Sequence, residues 1–250
     1  MSTLIKKNSL RDIFSKAAIN YEIQARFQKK VCIKLWENII SDDIYPKTIL
    51  DIGTGTGFFM QKLSKHFHNS QIVGFDFAFG MTKLAREKKL DVLQADAEFL
   101  PFKDESFDLI VSNLVFHWVY NLDNALNEVC RVLKEKGRFY FNLSGNQTLK
   151  EMRFCFEKNN SLKNEKEIKA VLERNNFKEI KINTLIFKEY FKDLFSLVGW
   201  LKSIGANRLT KPIFMGRETW QRANDIYLNN FKDNGMVFAT FEVIEVSARK

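Results

Sequence analysis

Three glycines at alternate positions follow a short apolar run and the carboxylate of Asp51. They are Gly53, Gly55 and Gly57, in the stretch I-L-D-I-G-T-G-T-G-F-F from Ile49 to Phe59. Glycine has no Cβ, so a backbone of this composition can turn sharply and approach a bound ligand closely. The apolar residues predict the end of a buried strand, and the turn is expected to open a helix. Alone, this pattern indicates only a tight strand-to-helix turn.

A second carboxylate, Asp76, closes the next predicted strand, Gln71 to Phe75, and lies 25 residues after Asp51. That distance suits a strand, a helix and a second strand. In nucleotide-binding sheets of this kind, an acidic residue at the second strand's end accepts hydrogen bonds from both ribose hydroxyls. The alternative role is a helix N-cap, since Met81 to Lys88 is predicted to be helical. The upstream glycines favour ribose binding.

The rest of the chain supplies the elements that must position these residues. Strand and helix patterns alternate as far as Ser144, which predicts an α/β fold with a mostly parallel sheet and right-handed crossovers. Beyond Ser144 two further strands are predicted, with helices between them. The predicted later elements are strands at Asp91 to Gln94, Leu109 to Asn113, Arg138 to Leu143, Ile180 to Phe191 and Met236 to Ser247, and helices at Leu122 to Leu133, Leu194 to Ile204 and Trp220 to Phe231.

Apolar residues recur every four positions between Phe14 and Ile40, so helices are predicted before the first strand. Tyr45-Pro46 ends that pattern. We therefore predict a single domain over 1–250. It contains an N-terminal helical cap at 14–40, a nucleotide-binding core at 45–143 and a helical insertion at 192–235 before the last strand.

The amino-acid composition indicates what kind of molecule the protein could bind. The net charge is +9 and the sequence pI is about 9.3, which favours an acidic partner such as nucleic acid, a membrane surface or an acidic carrier protein. A Lys-rich proteome would explain the same charge. The three cysteines are far apart and form no C-x-x-C pair, so neither a disulfide framework nor a zinc site is predicted. No signal peptide or membrane-spanning run is seen, which predicts a cytoplasmic protein.

The segments D-I-G-T-G-T-G, G-F-D-F, Q-A-D-A-E-F-L-P-F and F-D-L-I-V-S-N, in this order, resemble class I S-adenosylmethionine-dependent methyltransferases over roughly 49–143. A nicotinamide site would normally show G-x-G-x-x-G spacing instead. The resemblance implies a Rossmann-like, mostly parallel seven-stranded sheet, S-adenosylmethionine as cofactor and no metal. It also implies the residue roles. The glycine turn (Gly53, Gly55, Gly57) would contact the methionine part, Asp51 its ammonium, Asp76 the ribose, Asp96 and Ala97 the adenine, and Asn113 the surroundings of the sulfonium.

The flanking segments resemble the malonyl-acyl carrier protein O-methyltransferases of biotin synthesis. They are F-S-K-A-A with Y-E at Tyr21, T-L-K-E-M-R at 148–153 and L-K-S-I-G-A at 201–206. This resemblance implies methyl transfer to the free carboxylate of a malonyl thioester carried by acyl carrier protein, giving the methyl ester that primes pimeloyl synthesis. Thr54 stands where that family commonly has Cys, and Phe238 and Phe241 where it tends to have Pro and Tyr.

A carboxylate acceptor is already ionised at neutral pH, so no catalytic acid or base is expected. Something must instead orient the acceptor carboxylate. We predict Arg153 for that task, with a hydroxyl hydrogen bond from Tyr21, while Trp118 walls the pocket. The alternatives are an exposed helix position for Arg153, beside Glu157, and simple packing for Tyr21. Candidates for contact with the acidic carrier are Lys202, Arg208, Lys211, Arg217 and Arg222.

Two other functions fit the same residues. One is a methyltransferase for another small-molecule carboxylate or hydroxyl, or for RNA, although no added RNA-binding module is visible and no nucleic acid is expected. The other is a non-catalytic S-adenosylmethionine-binding partner protein. The intact glycine turn, Asp76 and Asp96 argue against that second alternative.

Overall fold

The computed structural model describes residues 3–156, 162–206 and 216–250, with side chains from Lys7 onward. The chain opens with two helices, α1 (Thr3–Gln24) and α2 (Arg26–Ser41). They are separated at Ala25, whose N–H still bonds the carbonyl of Tyr21 at 2.9 Å. Helix α1 begins well before residue 14, where the predicted cap starts. The prediction missed its first turns because they are polar and carry too few apolar residues for a clear periodicity.

The first five strands run parallel, as predicted, and a helix separates each successive pair except the third and the fourth strands. A short 3-10 turn, Phe116–Trp118, follows the fourth strand. The elements are β1 (Thr48–Ile52), α3 (Phe58–His66), β2 (Gln71–Asp76), α4 (Phe79–Glu87), β3 (Val92–Gln94), β4 (Phe107–Asn113), α5 (Leu122–Val132) and β5 (Leu133–Ser144).

The second part of the chain adds β6 (Lys178–Phe191) and β8 (Met236–Arg249), which complete the sheet in the order β3-β2-β1-β4-β5-β8-β6. Strand β8 is antiparallel to both of its neighbours. This confirms the mostly parallel seven-stranded sheet, to which a two-residue strand, β7, adds a pairing with β8. The elements are α6 (Lys150–Phe156), α7 (Glu165–Arg174), β6 (Lys178–Phe191), α8 (Leu194–Ser203), α9 (Arg217–Asn230), β7 (Lys232–Asp233) and β8 (Met236–Arg249).

Helix α5 ends one residue before its prediction, whereas the start of β5 differs more. The helix stops at Val132 and the chain is extended from Leu133, five residues before the predicted start of the strand at Arg138. Lys136 takes up a positive φ of 63°, and a Cβ at Gly137 would lie 2.7 Å from the carbonyl oxygen of Lys134. Lys136 and Gly137 thus lie in an irregular first part of β5.

Apolar clusters pack on both faces of the sheet, and a third cluster packs beside strand β8. Helices α5 and α7 bury one face, and α2 and α3 bury the other. The third cluster joins α8 and α9 to β8 and to Phe27 of α2. Because the carboxyl ends of parallel strands meet at one edge, the glycine turn, Asp76 and Asn113 all lie there. Among the described helices, none has the length and apolar character needed to cross a bilayer.

Candidate active site

The glycine turn adopts the backbone that its composition predicts. Gly53, Gly55 and Gly57 have φ values of 68°, 55° and 89°, in the left-handed region that disfavours residues with a Cβ. A Cβ at Gly53 would lie 2.2 Å from the Val115 side chain, and one at Gly57 would lie 2.2 Å from Leu90. Gly55 meets only the ring of Tyr21, at 3.9 Å. Two of the glycines are thus required by packing, and Gly55 leaves space open.

Asp51 lies beneath the turn and does not line the cavity above it. Its carboxylate is 1% exposed and accepts a hydrogen bond from the Thr54 hydroxyl at 2.7 Å. Burial raises its pKa to about 7, and the nearby charge of Asp76 acts in the same direction. Any effect of Asp51 on a cationic ligand would act through the turn. Its predicted contact with the cofactor ammonium stays a prediction.

Asp76 ends β2 and faces the cavity. Its two oxygens accept hydrogen bonds from the Gly55 N–H at 2.9 Å and from the Ala78 N–H at 2.8 Å. The second bond closes a turn just before α4, but the N-cap position of that helix is Ala78, so Asp76 does not take the N-cap role that was the alternative. Burial raises the pKa of Asp76 to about 6. Each carboxylate oxygen can accept a further bond, so these two contacts leave room for a ribose.

Asp96 and Ala97 line the far end of the same cavity. The Asp96 carboxylate accepts a hydrogen bond from the Lys7 ammonium at 2.8 Å and another from the Glu98 N–H at 3.0 Å. Lys7 also pairs with the Glu98 carboxylate at 3.1 Å, and these two acidic partners raise its pKa although burial opposes them. Lys7 was missed from the sequence. It lies 14 residues before Tyr21 on the same helix, a spacing that places both residues on one face.

Asn113, at the end of β4, links three segments. Its amide nitrogen donates to the Gln28 carbonyl at 3.2 Å, and its amide oxygen accepts from Asn142 at 3.0 Å. Asn142 in turn accepts from the Leu114 N–H at 2.7 Å. This network fixes the start of α2 against the ends of β4 and β5.

One continuous cavity joins these residues and extends beneath α8. It encloses about 1180 Å³ including its open mouth, a size suited to a large small-molecule ligand. Asp76, Asp96, Glu98 and Lys7 are the charged residues among the described lining. The other half of the cavity is mainly apolar and aromatic, with walls formed by Phe14, Phe27, Leu114, Trp118, Trp200, Leu201, Ile204 and Phe241.

His117 lines the cavity but is poorly suited to proton transfer. Its Nδ1 accepts a hydrogen bond from the Ser144 N–H at 3.3 Å. Burial lowers its pKa to about 3, so the ring is neutral. The ring of Trp118 stands edge-on to Phe14 at 5.3 Å between centroids, which places it in the predicted pocket wall.

The two residues predicted to orient an acceptor lie at different depths. Tyr21 faces the cavity, and burial raises the pKa of its phenol, as does the charge of Asp76. Arg153 does not line the cavity; its guanidinium donates to the carbonyls of Thr148 and Asn146, the latter at 2.7 Å. Thr148 does line the cavity, so Arg153 lies directly behind the wall. Its partner in the alternative reading, Glu157, is outside the described residues.

Comparisons with known proteins show the family to which the chain belongs. Residues 50–141 match a methyltransferase domain family. The malonyl-acyl carrier protein O-methyltransferase of Methylococcus capsulatus is 30% identical to the chain over 251 residues, which cover 95% of this chain and 91% of that protein. The chain belongs to this family. A protein of the same name from Geobacter sulfurreducens is 28% identical over 262 residues, covering 96% of this chain and 98% of that protein.

A solved Bacillus halodurans structure, described as a methyltransferase, has the same fold. The TM-score is 0.63 at 20% identity, covering 88% of this chain and 98% of that one. Membership of the family makes the protein an S-adenosylmethionine-dependent O-methyltransferase whose cofactor is S-adenosylmethionine, and the solved structure shows that its fold is the Rossmann-like class I fold. Among the described side chains there is no cluster of His, Cys, Asp and Glu that could hold a metal ion.

The residues present fit that cofactor. The methyltransferase has an open glycine at Gly55, a carboxylate at the end of β2 and a carboxylate at the far end of the cavity. It also has an orphaned buried oxygen, Oε1 of Gln28, which meets no donor in the described part of the chain. We assign Gly53, Gly55, Asp76, Asp96, Ala97 and Asn113 as a proposed cofactor-binding set on this placement. Gly57 serves by shaping the turn, because it caps α3 and lies outside the lining.

Proposed function

We propose that the enzyme transfers a methyl group from S-adenosylmethionine to the free carboxylate of a malonyl thioester, preferably malonyl-acyl carrier protein. The observation that carries this proposal is the extent of the similarity. The methyltransferase domain match ends at residue 141, whereas the similarity to the Methylococcus capsulatus enzyme covers 95% of the chain. It therefore includes most of the helices that wall the apolar half of the cavity, where an acceptor would bind.

The chemistry of the cavity supports a carboxylate acceptor. When bound, S-adenosylmethionine supplies a methyl group that an ionised carboxylate oxygen can accept without any proton transfer. His117 is held neutral and engaged by the Ser144 N–H, so it supplies neither an acid nor an effective base at neutral pH. The apolar walls, which include Trp118 and Phe241, exclude water from the acceptor half. The protein's contribution is then alignment and desolvation.

Tyr21 supports the proposal as a hydrogen-bond donor toward the acceptor. Its phenol keeps its proton at neutral pH, because burial and the Asp76 charge raise its pKa. It projects into the cavity between the open Gly55 and the apolar half. A protonated phenol can donate to an acceptor carboxylate at that junction.

Arg153 remains the cation proposed to bind the acceptor carboxylate. To do so, its guanidinium has to exchange a carbonyl bond, to Asn146 or Thr148, for a carboxylate. A bidentate pair between a guanidinium and a carboxylate is stronger than such a bond to a neutral carbonyl, so this exchange is favourable once an anion enters. Burial lowers the pKa of Arg153 and the charges of Glu151 and Glu242 oppose this, so an acceptor carboxylate would compete with two nearby fixed carboxylates for the guanidinium.

The proposed carrier is acidic, and exposed cations lie on the helices beside the cavity. Lys202 is on α8, and Arg217 and Arg222 are on α9. Arg208 and Lys211 lie outside the described residues. Binding of an acidic carrier to such a surface should weaken steeply with salt. In a cytoplasmic setting, the methyl ester would prime synthesis of the pimeloyl precursor of biotin.

The test is methyl transfer from labelled cofactor to malonyl-acyl carrier protein, malonyl-coenzyme A and free malonate. The proposal expects the carrier-bound substrate to react fastest, with an advantage that falls as salt is raised. Arg153→Ala and Tyr21→Phe should each lower kcat/KM by roughly tenfold or more, while cofactor binding is kept. Arg174→Ala, which removes an exposed cation paired with Asp123, is the matched control.

Full turnover of Arg153→Ala would remove that residue from the acceptor site. Transfer to free malonate or to a hydroxyl compound alone would replace the thioester with another small-molecule acceptor. Cofactor binding without transfer to any of these substrates would support a non-catalytic binding protein.

A further inference from the structure

Gln28 is a polar residue in the wall of the cavity whose side chain has no assigned role. It lies in the first turn of α2, and its backbone carbonyl accepts the Asn113 amide at 3.2 Å. Because Asn113 is itself held by Asn142, the backbone of Gln28 is fixed at the end of β4. Its side chain is therefore presented to the cavity from a rigid position.

The side-chain oxygen of Gln28, Oε1, is buried and has no hydrogen-bond donor among the described residues. A buried amide oxygen without a donor is costly, and such atoms are uncommon in folded proteins. The cost is removed if a ligand in the cavity brings an N–H group to this oxygen. The unpaired atom therefore indicates the chemistry of the ligand group that belongs beside it.

The position of Gln28 indicates which part of the cofactor carries the N–H group that would bind its side-chain oxygen. The end of β4 lies beside the end of β1, since Ser112 pairs with Ile52, and Gly53 follows directly. The proposed ribose residue, Asp76, ends β2 and the proposed adenine residue, Asp96, follows β3, and both strands lie on the other side of β1 from β4. This leaves the methionine end of S-adenosylmethionine next to Gln28. That end carries an ammonium with three N–H donors, whereas an acceptor carboxylate has none.

We propose that the side-chain carbonyl of Gln28 accepts a hydrogen bond from the α-ammonium of S-adenosylmethionine and of S-adenosylhomocysteine, and so positions the methionine end of the cofactor. The Asp51 carboxylate, buried below the turn and bonded to Thr54, then acts on the same ammonium as a charge at longer range. The inference rests on the cofactor site and is independent of the identity of the methyl acceptor.

The assignment is tested by calorimetry, which measures the affinity of the enzyme for three ligands in the absence of the methyl acceptor. S-adenosylmethionine and S-adenosylhomocysteine both carry the ammonium, and 5′-methylthioadenosine keeps the adenine, ribose and thioether without it. Gln28→Leu should weaken both amino-acid ligands by about ten- to a hundredfold and leave 5′-methylthioadenosine unchanged. Gln28→Glu, which keeps an acceptor oxygen and adds a charge, should retain or improve the binding of the two amino-acid ligands.

Gln24→Leu is the matched control, because Gln24 is exposed on the neighbouring turn. It should bind all three ligands as the wild type does. Equal losses for all three ligands in Gln28→Leu would overturn the proposal in favour of a structural role. So would unchanged binding of the amino-acid ligands. Loss of those ligands in Gln28→Glu would also overturn it, since the side chain would then face the cofactor's carboxylate through its N–H group.

Discussion

Replacing Asp51 with an asparagine tests the energetic consequence of a carboxylate buried under the glycine turn. Asp51 is 1% exposed, and burial raises its pKa to about 7. In the unfolded chain an Asp side chain titrates near pH 4. The folded state therefore binds this proton more tightly than the unfolded state does. The contribution of this proton to the free energy of unfolding is fully present below about pH 4 and is lost as pH rises through about 7.

The size of the effect follows from these two pKa values. Between pH 5 and pH 8 the unfolded side chain is ionised throughout, while the folded one changes from protonated to ionised. Each pKa unit corresponds to about 1.4 kcal/mol, and about two units fall in this range, so the free energy of unfolding should drop by about 2.5 kcal/mol. The amide introduced by Asp51→Asn is neutral at every pH, and its oxygen can still accept the Thr54 hydroxyl. The variant should thus lack this drop.

The assay is urea unfolding of the cofactor-free protein between pH 5 and pH 8. The difference in unfolding free energy between Asp51→Asn and the wild type should shift by about 2.5 kcal/mol in favour of the variant across that range. Asp76 titrates in both proteins, so only its coupling to Asp51 contributes to the difference. Asp91→Asn, at an exposed position, is the matched control and should follow the wild type. Parallel pH curves for Asp51→Asn and the wild type would refute the reasoning.

Two further predictions concern the cofactor half of the site. Gly53→Ala should lower the free energy of unfolding by roughly 1–3 kcal/mol, because φ is 68° and the new Cβ would lie 2.2 Å from Val115. Adding Val115→Ala should recover part of that loss in the same denaturation assay, and a double variant no better than the single one would exclude the clash as a cause. Asp76→Ala should weaken cofactor binding by calorimetry at least tenfold. An unaltered affinity would contradict the ribose role.

The fold and the cofactor half could be predicted because their information is local. Asp51, Asp76 and Asn113 each stand at the end of an apolar strand, and parallel topology alone brings strand ends to one edge. The residues that were missed come from the N-terminal helices. Lys7 lies in a turn of α1 with too few apolar residues to show a helix, and the orphaned oxygen of Gln28 becomes visible only when every neighbouring donor is known.

The acceptor half could not be derived from spacing, because its walls come from distant segments. Trp200 of α8 donates its ring N–H to the Gln24 carbonyl at 3.1 Å, across 176 positions of sequence. Phe27 of α2 packs at 4.7 Å between ring centroids against Phe241 of β8. No periodicity of one segment encodes either contact. Arg153 shows the same limit, since its spacing on α6 does not reveal that its guanidinium is engaged by the preceding turn.

The distribution of charge along the cavity connects its two halves to the proposed reaction. The charged residues of the described lining, Asp76, Asp96, Glu98 and Lys7, lie at the end of the cavity that we propose for the adenine and the ribose, and their charges sum to a negative value. That end suits a cofactor that carries a sulfonium cation. The apolar half beneath α8 has no charged lining residue in the described chain. An acceptor anion placed there is poorly solvated and lies beside the cation.

Methyl transfer to a carboxylate removes both of these opposite charges, since a sulfonium becomes a thioether and a carboxylate becomes an ester. Poor solvation of the anion raises the free energy of the ground state more than that of the transition state, because both charges are partly lost in the transition state. A single cation or donor at the boundary, such as Tyr21 or Arg153, then suffices to hold the acceptor without stabilising it so strongly that transfer slows. This is the physical reason to expect a site with a charged half, an apolar half and no catalytic base.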